Sequence, residues 1–228
     1  MTPNTKSVAF FGASTGVGLA ALKHTLAAGH KCIALCREPS KLTGIFPSGS
    51  TPNLKVIKGN AHNISAVSQC IQTDDGRIID VIVSTIGARP RGMTVDDPDV
   101  CKKGAATLLR SSSPASKHRG LLPLRSRCSY RYGAHLLLVC QCPRADKVVM
   151  EDRFAQSGEA FTILRASHLV DGESNKAIRV GIEDPKTGPE SRAIGYTISR
   201  EDAGRWLAEN LVLKMDAKFL NKNVTVTY

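Results

Sequence analysis

The chain has no hydrophobic run of about 18 residues, the length that a membrane-spanning helix requires. Its first residues lead directly into an apolar strand pattern at Ser7, without the basic and hydrophobic regions of a secretory signal. The seven cysteines are scattered, and some lie within apolar runs, where a free thiol behaves as a small hydrophobic group. These features predict a reduced, cytoplasmic protein without a membrane partner.

Acidic residues are missing from one long segment. Between Val100 and Ala145 there is no Asp or Glu, whereas nine lysines and arginines fall there. The other 22 basic residues nearly balance the 20 acidic ones, so the formal net charge of +11 arises mainly from this segment. Because no basic stripe runs through the rest of the chain, the charge does not predict a nucleic-acid partner.

The same segment lacks a regular hydrophobic pattern over residues 111–133, which are rich in Ser, Arg and Pro. We predict that these residues add no well-packed element to a central sheet, because they bury too little apolar surface to offset the entropy of ordering. The side chains of Cys128, His135, Cys140 and Cys142 have zinc-ligand chemistry, but their spacing fits no usual zinc motif. We therefore predict no metal site.

A glycine-rich turn follows the first strand pattern. The apolar run Ser7–Phe11 leads into Gly12–Gly18, an amphipathic helix pattern then ends at Gly29, and a second apolar run covers Lys31–Cys36. Glycines let the backbone turn tightly and approach a pyrophosphate, and the helix N-terminus directs free N–H groups towards the phosphates. The order strand, glycine turn, helix, strand therefore predicts a dinucleotide site.

The residue after the second strand indicates which dinucleotide is bound. In NAD sites an acidic residue here holds the ribose 2′-hydroxyl, but this chain has Arg37, with Lys41 about one turn later. A guanidinium suits a 2′-phosphate, which it can bind through charge-assisted hydrogen bonds. The sequence thus predicts NADP (NADPH) as the cofactor; a solvated arginine at a strand end is the alternative.

Length and pattern together predict the fold class. A chain of 228 residues with 42% hydrophobic and 22% charged residues fits a single compact domain. Residues 78–84 form a nearly continuous β-branched run, which is typical of a parallel strand covered on both faces. We predict an α/β, doubly wound parallel sheet, the Rossmann fold, as one domain over 1–228. Its fifth-strand region is disrupted, because Leu136–Cys140 is a poorly framed strand candidate.

Other element boundaries carry local signals. Asn63 is placed to cap a helix whose apolar face holds Val67 and Cys70, and Ser199-x-x-Asp202 resembles a capping arrangement. Residues 194–198 form a further candidate strand. The alternation over 223–228 predicts a terminal edge strand.

Several motifs occur in an order that resembles the atypical short-chain dehydrogenase/reductase proteins of the NmrA-like, NAD(P)H-binding group. Within that group the chain is most similar to fungal averufin-oxidase-type proteins, which are encoded with aromatic polyketide pathways. The resemblance covers roughly residues 6–100 and 145–228. The motifs that carry it are Gly12-x-x-x-Gly16-x-Gly18, the Arg37 strand end, Gly59-Asn60-Ala61, Asp80–Gly87, Lys147-x-x-x-Glu151 and Phe161–Arg165.

The resemblance implies roles for individual residues. The pyrophosphate turn would comprise Gly12, Ser14, Thr15, Gly16, Val17 and Gly18. Arg37 would meet the 2′-phosphate, while Asn60 and Ala61 would flank the adenine. The floor beside the nicotinamide ribose would be formed by Ser84, Thr85, Ile86 and Gly87. Lys147 would lie near the nicotinamide as a catalytic residue, unless it is an exposed helix lysine.

One further residue is a candidate substrate contact. His168 follows a strand at the carboxyl edge of the sheet, where open α/β sheets bind their ligands. A hydrogen-bonded loop histidine is the alternative interpretation.

The chain departs from the main short-chain dehydrogenases in its catalytic residues. Those enzymes use Tyr-x-x-x-Lys, in which the lysine lowers the tyrosine pKa. Position 143 here is Pro, and no tyrosine has a lysine four residues later. The departing segment 100–145 is an atypical basic segment, either a genuine divergent loop or the result of a local change of reading frame or splicing.

The resemblance implies an NADPH-dependent oxidoreductase that acts on an aromatic polyketide of anthraquinone or xanthone type, with a small aromatic molecule as its partner. A non-catalytic, NADP-sensing protein of the NmrA kind is the alternative, and the missing Tyr-x-x-x-Lys favours it. The sequence does not indicate the oligomeric state or the direction of the reaction.

Overall fold

A computed structural model provides the structure of the protein. It describes residues 5–47, 51–88, 90–91, 94–112, 135–139, 144–172 and 176–228. No helix within these ranges is long and apolar enough to cross a membrane.

Strands and helices alternate through most of the described chain. The strands are β1 (Ser7–Phe11), β2 (Lys31–Cys36), β3 (Leu54–Lys58), β4 (Val81–Ser84), β5 (Pro90–Arg91), β6 (Thr94–Val95), β7 (His135–Val139), β8 (Phe161–Ala166), β9 (His168–Val170), β10 (Arg179–Asp184), β11 (Gly188–Ser191), β12 (Thr197–Ser199) and β13 (Lys222–Thr227). The α-helices are α1 (Gly16–Ala27), α2 (Ser40–Thr43), α3 (Ile64–Cys70), α4 (Val100–Ser112), α5 (Arg144–Ser157) and α6 (Arg200–Leu207). A π-helical turn, Ala208–Leu213, continues α6, and a 3₁₀ turn covers Ala217–Phe219.

Nine strands form the central sheet in the order β11-β10-β13-β8-β7-β4-β1-β2-β3. The seven strands from β13 to β3 run parallel, and β10 and β11 add an antiparallel edge. The mostly parallel sheet with helices on both faces confirms the predicted Rossmann-like, single-domain α/β fold.

The core lies in two layers, one on each face of the sheet. Val8 and Phe10 of β1 pack in the layer that contains Leu207 and Trp206 of α6. Their neighbours Ala9 and Phe11 face the other way and pack in the layer that contains residues of α3, α4 and α5. Because successive strand residues point to opposite faces, a strand covered on both sides has to be apolar throughout, as the β1 pattern is.

The fifth parallel position is occupied. β7 lies between β4 and β8, with Leu136 paired to Ile82 and to Phe161, and all five of its residues are buried. The short apolar run at 135–139 is therefore a regular strand of the sheet. Residues 111 and 112 form the end of α4, whereas 113–133, the rest of the segment predicted to be irregular, lie outside the described residues.

The prediction of a terminal edge strand is wrong. β13 lies inside the sheet, parallel to β8 and antiparallel to β10. The sequence analysis did not predict β10 and β11, the two strands beyond β13. β10 mixes charged and apolar residues, and β11 contains Gly188 and Pro189, so neither strand shows a clear alternation. The strand predicted at 194–198 is shorter, since only residues 197–199 are extended, and they pair with β9 outside the central sheet.

Both predicted helix caps are present. The Asn63 side chain accepts hydrogen bonds from the backbone N–H groups of Ser65 and Ala66, at 2.9 and 3.2 Å. The Ser199 hydroxyl accepts one from the Asp202 N–H at 2.9 Å. These bonds satisfy N–H groups that the first turn of a helix leaves without partners, which is why a local sequence signal was sufficient to place them.

His135 in β7 makes the fold sensitive to acid. Its Nε2 lies 2.9 Å from the Thr162 hydroxyl, and burial lowers the pKa of His135 below its ordinary value of 6.5. The native ring stays neutral at a pH where the unfolded chain takes up a proton. This contribution to stability is therefore complete above pH 6.5 and is lost as the pH falls towards the lowered native pKa.

We expect the free energy of unfolding of the wild type to decrease on acidification below pH 6.5 more steeply than that of His135→Gln. Urea denaturation at several pH values gives the free energy of unfolding of both proteins. The other titrating groups are common to the two chains and cancel in the difference. Parallel pH profiles would show that His135 does not contribute.

Candidate functional site

The strand register brings the predicted site residues together at the carboxyl edge of the sheet. Phe11, the last residue of β1, is paired with Leu35 of β2 and with Ser84 of β4. Cys36 of β2 is paired with Lys58, the last residue of β3. The glycine turn and the segments that begin at Arg37, Gly59 and Thr85 therefore leave the sheet at similar heights, and they surround a cleft of about 640 Å³.

Twelve of the thirteen predicted cofactor-binding residues line this cleft: Gly12, Ser14, Thr15, Gly16, Val17, Gly18, Arg37, Asn60, Ala61, Thr85, Ile86 and Gly87. Ser84 is the exception, since it is buried at the end of β4 and does not contribute to the lining. The open mouth of a doubly wound sheet is where ligands of this fold class bind.

The glycine turn is held closely against Thr85. The Thr85 hydroxyl donates to the carbonyl oxygen of Gly12 at 3.0 Å, and its backbone N–H donates to Phe11 at 2.8 Å. A Cβ atom on Gly18 would lie 2.3 Å from that hydroxyl, which is inside the van der Waals distance. Gly12 also has a φ of +88°, a region that residues with side chains rarely occupy.

The turn fits a pyrophosphate. Thr15 makes no side-chain cap at the start of α1, and the first turn of α1 contains no acidic residue. The leading N–H groups and the positive end of the helix dipole therefore remain available to an anion. A dinucleotide could approach the backbone here because Gly12 and Gly16 carry no side chains.

We expect Gly12→Ala to lower the free energy of unfolding by about 2 kcal/mol, because the strained φ adds to a Cβ contact of 2.9 Å with the Thr85 backbone. Gly29→Ala is the matched control. Its φ is +83°, but no atom lies within 4 Å of the added Cβ, so its cost should be about 1 kcal/mol. Urea denaturation measures the free energy of unfolding of both variants. Equal losses would contradict a steric role for Thr85.

Arg37 is the candidate for 2′-phosphate recognition. Its side chain is exposed at the end of β2 and makes no hydrogen bond or ion pair with any residue in the described ranges. Lys41 also lines the cleft, but its ammonium lies 2.9 Å from the Glu38 carboxylate. The Arg37 guanidinium is therefore available to a ligand directly, whereas the Lys41 ammonium would first leave Glu38.

The segment after β3 contains Asn60 and Ala61, the residues predicted to flank the adenine, and both line the cleft. The Asn60 side chain accepts from the backbone N–H of His62 at 3.1 Å, which orders the loop beside Ala61. Asp97 lies on the same lining, where the Lys103 ammonium at 3.0 Å holds the pKa of the carboxyl below its usual value. The carboxylate is therefore ionised at neutral pH and accepts hydrogen bonds only.

Like Ser84, the predicted catalytic residue and the predicted substrate contact do not line the described cleft. Lys147 lies half-buried in the first turn of α5, and His168 is exposed at the start of β9, where its backbone N–H donates to Tyr196 at 3.0 Å. The side chain of His135, from the rejected zinc arrangement, contacts Thr162 instead. The three cysteines of that arrangement lie outside the described residues.

Among the lining residues that sequence reasoning did not predict are Asp171 and Arg200. They follow strands β9 and β12, which are parallel and pair Val170 with Ser199. Their side chains form an ion pair of 2.7 Å. The two residues are 29 positions apart, and only the pairing of β9 with β12 brings them together, so no local sequence pattern indicates the pair.

Two fungal proteins are similar in sequence to this chain. "Reductase pytE" of Aspergillus terreus is 32% identical over 277 residues, covering 100% of both chains. "Oxidase pynE" of Aspergillus niger is 27% identical over 277 residues, covering 97% of this chain and 98% of the other.

Among solved structures, a wide-type short-chain dehydrogenase/reductase from Veillonella parvula in complex with NADP superimposes with a TM-score of 0.68 at 12% identity. The match covers 98% of this chain and 94% of the other. At this identity it supports the fold alone.

The decisive comparison is with a protein family. Residues 12–212 match the family described as NAD(P)H-binding, a range that includes the glycine turn, α6 and every strand from β2 to β12. A nicotinamide dinucleotide is the cofactor that this match and the cleft support. The chain belongs to the NAD(P)H-binding family.

Proposed function

We propose that the protein is an NADPH-dependent oxidoreductase. The observation that carries the proposal is the cleft at the carboxyl edge, in which a glycine turn at the start of α1 lies beside an arginine without a partner in the described chain. Membership of the NAD(P)H-binding family and the relatives named as a reductase and an oxidase support it.

Each part of the lining has a proposed role. The backbone N–H groups from Ser14 to Gly18 hold the pyrophosphate, and Arg37 binds the 2′-phosphate. Asn60 and Ala61 contact the adenine, and Thr85, Ile86 and Gly87 contact the nicotinamide ribose. When bound, the nicotinamide supplies the hydride, and the protein orients the acceptor and excludes water.

The proposed substrate is an aromatic polyketide intermediate of anthraquinone or xanthone type in fungal secondary metabolism. This class follows from the resemblance to averufin-oxidase-type proteins. The Aspergillus sources of the two relatives support a fungal setting. His168 is proposed as a substrate contact.

Reduction of a carbonyl needs a proton as well as a hydride. The usual tyrosine donor is missing, so we propose Lys147 as the group that delivers the proton to the carbonyl oxygen. Lys147 precedes Glu151 by one turn of α5, and Glu151 forms a bidentate pair with Arg165 of β8 at 3.0 and 2.6 Å. That pair joins α5 to the sheet and limits how far the helix can shift.

The proposal is tested by mixing the purified protein with NADPH and a panel of anthraquinones, xanthones and simple aliphatic ketones. Loss of the near-ultraviolet absorbance of NADPH, with the reduced product identified by mass spectrometry, is the expected result. Turnover confined to aliphatic ketones would contradict the substrate class. NADPH binding without any hydride transfer would contradict the oxidoreductase assignment.

The missing Tyr-x-x-x-Lys favours a second candidate, a non-catalytic protein that senses NADP in the manner of NmrA-like proteins. The two candidates differ in a single-turnover experiment with deuterated NADPH. An oxidoreductase transfers deuterium to the acceptor, even slowly, whereas a sensor binds NADPH and NADP without any transfer.

A further inference from the structure

Arg200 lies beside the first residue of α1, the helix that follows the glycine turn. It is the first residue of α6 and contributes to the lining. A Cβ atom built on Gly16 would lie 3.6 Å from the Cδ atom of Arg200. The arginine side chain therefore passes directly beside the glycine that opens α1.

The position of Arg200 is determined by close packing between α1 and α6. A Cβ on Gly204 would lie 2.4 Å from Cβ of Ala20 and 2.6 Å from the carbonyl oxygen of Val17, so only glycine permits this approach. The His24 Nε2 also lies 3.0 Å from the Glu201 carboxylate, which links the same two helices. The N-terminus of α6 is thus held beside the N-terminus of α1.

Asp171 forms an ion pair with Arg200. The Nη1–Oδ1 distance is 2.7 Å, and the Asp171 side chain is 92% exposed. An exposed ion pair contributes little free energy because water and salt screen it. A phosphate group, which accepts several hydrogen bonds from a guanidinium, can therefore replace Asp171 at small cost.

We infer that Arg200 binds the pyrophosphate of the dinucleotide, exchanging Asp171 for a phosphate oxygen when the cofactor enters. This inference rests on the proposed function, since it presupposes a dinucleotide in the cleft. The N–H groups of the turn approach the pyrophosphate from α1, and Arg200 supplies a full positive charge from α6. The residue then contributes to binding of both cofactors, because NADH and NADPH share the pyrophosphate.

Calorimetric titration of four probes tests this role: NADPH, NADH, ADP-ribose and adenosine 2′-monophosphate. Arg200→Ala should weaken the first three by a common factor of about 10- to 50-fold. Adenosine 2′-monophosphate lacks a pyrophosphate and should bind both proteins alike. Arg200→Lys, which keeps the charge but not the planar fork, should lose less affinity.

The variant Asp171→Asn distinguishes an exchange of Asp171 for phosphate from a purely structural role of the Arg200–Asp171 ion pair. Because it frees Arg200, it should bind NADPH up to about fivefold more tightly than the wild type. Arg192→Ala is the control for loss of one positive charge, since Arg192 is exposed and does not line the cleft. Thermal unfolding of each variant shows whether the fold is retained.

Two results would overturn the inference while the wild type binds NADPH: equal affinity in Arg200→Ala, or a loss in Asp171→Asn as large as that in Arg200→Ala. The second result would mean that the Arg200–Asp171 ion pair only stabilises the local structure. A wild type that binds no dinucleotide would overturn the proposed function together with this inference. The expected affinities without hydride transfer would support Arg200 and reject the oxidoreductase.

Discussion

Replacing Arg37 by alanine is expected to weaken NADPH binding by about 10- to 150-fold and to leave NADH binding nearly unchanged. Arg37 follows β2 directly, is exposed on the cleft and has no ion-pair partner among the described residues. A charge-assisted hydrogen bond contributes roughly 1.5–3 kcal/mol, and the 2′-phosphate that would accept it is absent from NADH. Fluorescence titration of the two nucleotides measures the asymmetry.

Lys41→Ala is the matched control for this prediction. Lys41 lines the same cleft, but its ammonium is an exposed point charge without the planar fork of Arg37, so its removal should cost less affinity. Equal binding of NADPH and NADH by the wild type would refute the assignment of NADP. An equal loss of both nucleotides in Arg37→Ala would do so too, since it would indicate general damage to the site.

Lys147→Ala is expected to lower turnover by roughly 100-fold or more while NADPH affinity stays the same. The reason is that Lys147 is proposed to deliver a proton in the reaction, and it does not line the part of the cleft that the structure describes. Stopped-flow kinetics with an accepted acceptor gives kcat and KM separately, and titration gives the NADPH affinity.

Lys23→Ala provides the comparison, because Lys23 is exposed on α1 and does not line the cleft. A proton-transfer role predicts a loss in kcat with a changed pH profile, whereas a helix lysine that only stabilises the fold would alter neither. An unchanged rate in Lys147→Ala with any accepted substrate would remove this residue from the mechanism.

The features that the sequence predicted correctly depend on neighbouring residues. Residues 8–11 are apolar throughout because both faces of β1 are covered, and the turn after them contains glycine because φ is +88° at Gly12. The cap at Asn63 satisfies N–H groups two and three residues away. Such interactions are completed within one turn or strand, so the local sequence specifies them.

The position of a strand within the sheet was not predictable in the same way. β13 shows the alternation of an edge strand, yet β10 pairs along its open side, with Ile182 opposite Val224. An edge and a central position differ in what lies beside the strand, and that neighbour comes from another part of the chain. Likewise, the short run His135–Val139 became identifiable as a strand only through its pairing with β4 and β8.

By itself the sequence determined the fold class, the glycine turn and the basic residue after β2, because each depends on a pattern formed by residues close together in the chain. Only the tertiary structure decided which distant side chains share the cleft. Arg200 reaches Gly16 because Gly204 allows α6 to lie against α1, and Asp171 meets Arg200 because two short strands pair in parallel register. Contacts of this kind join residues far apart in the chain, and the packing of complete elements creates them.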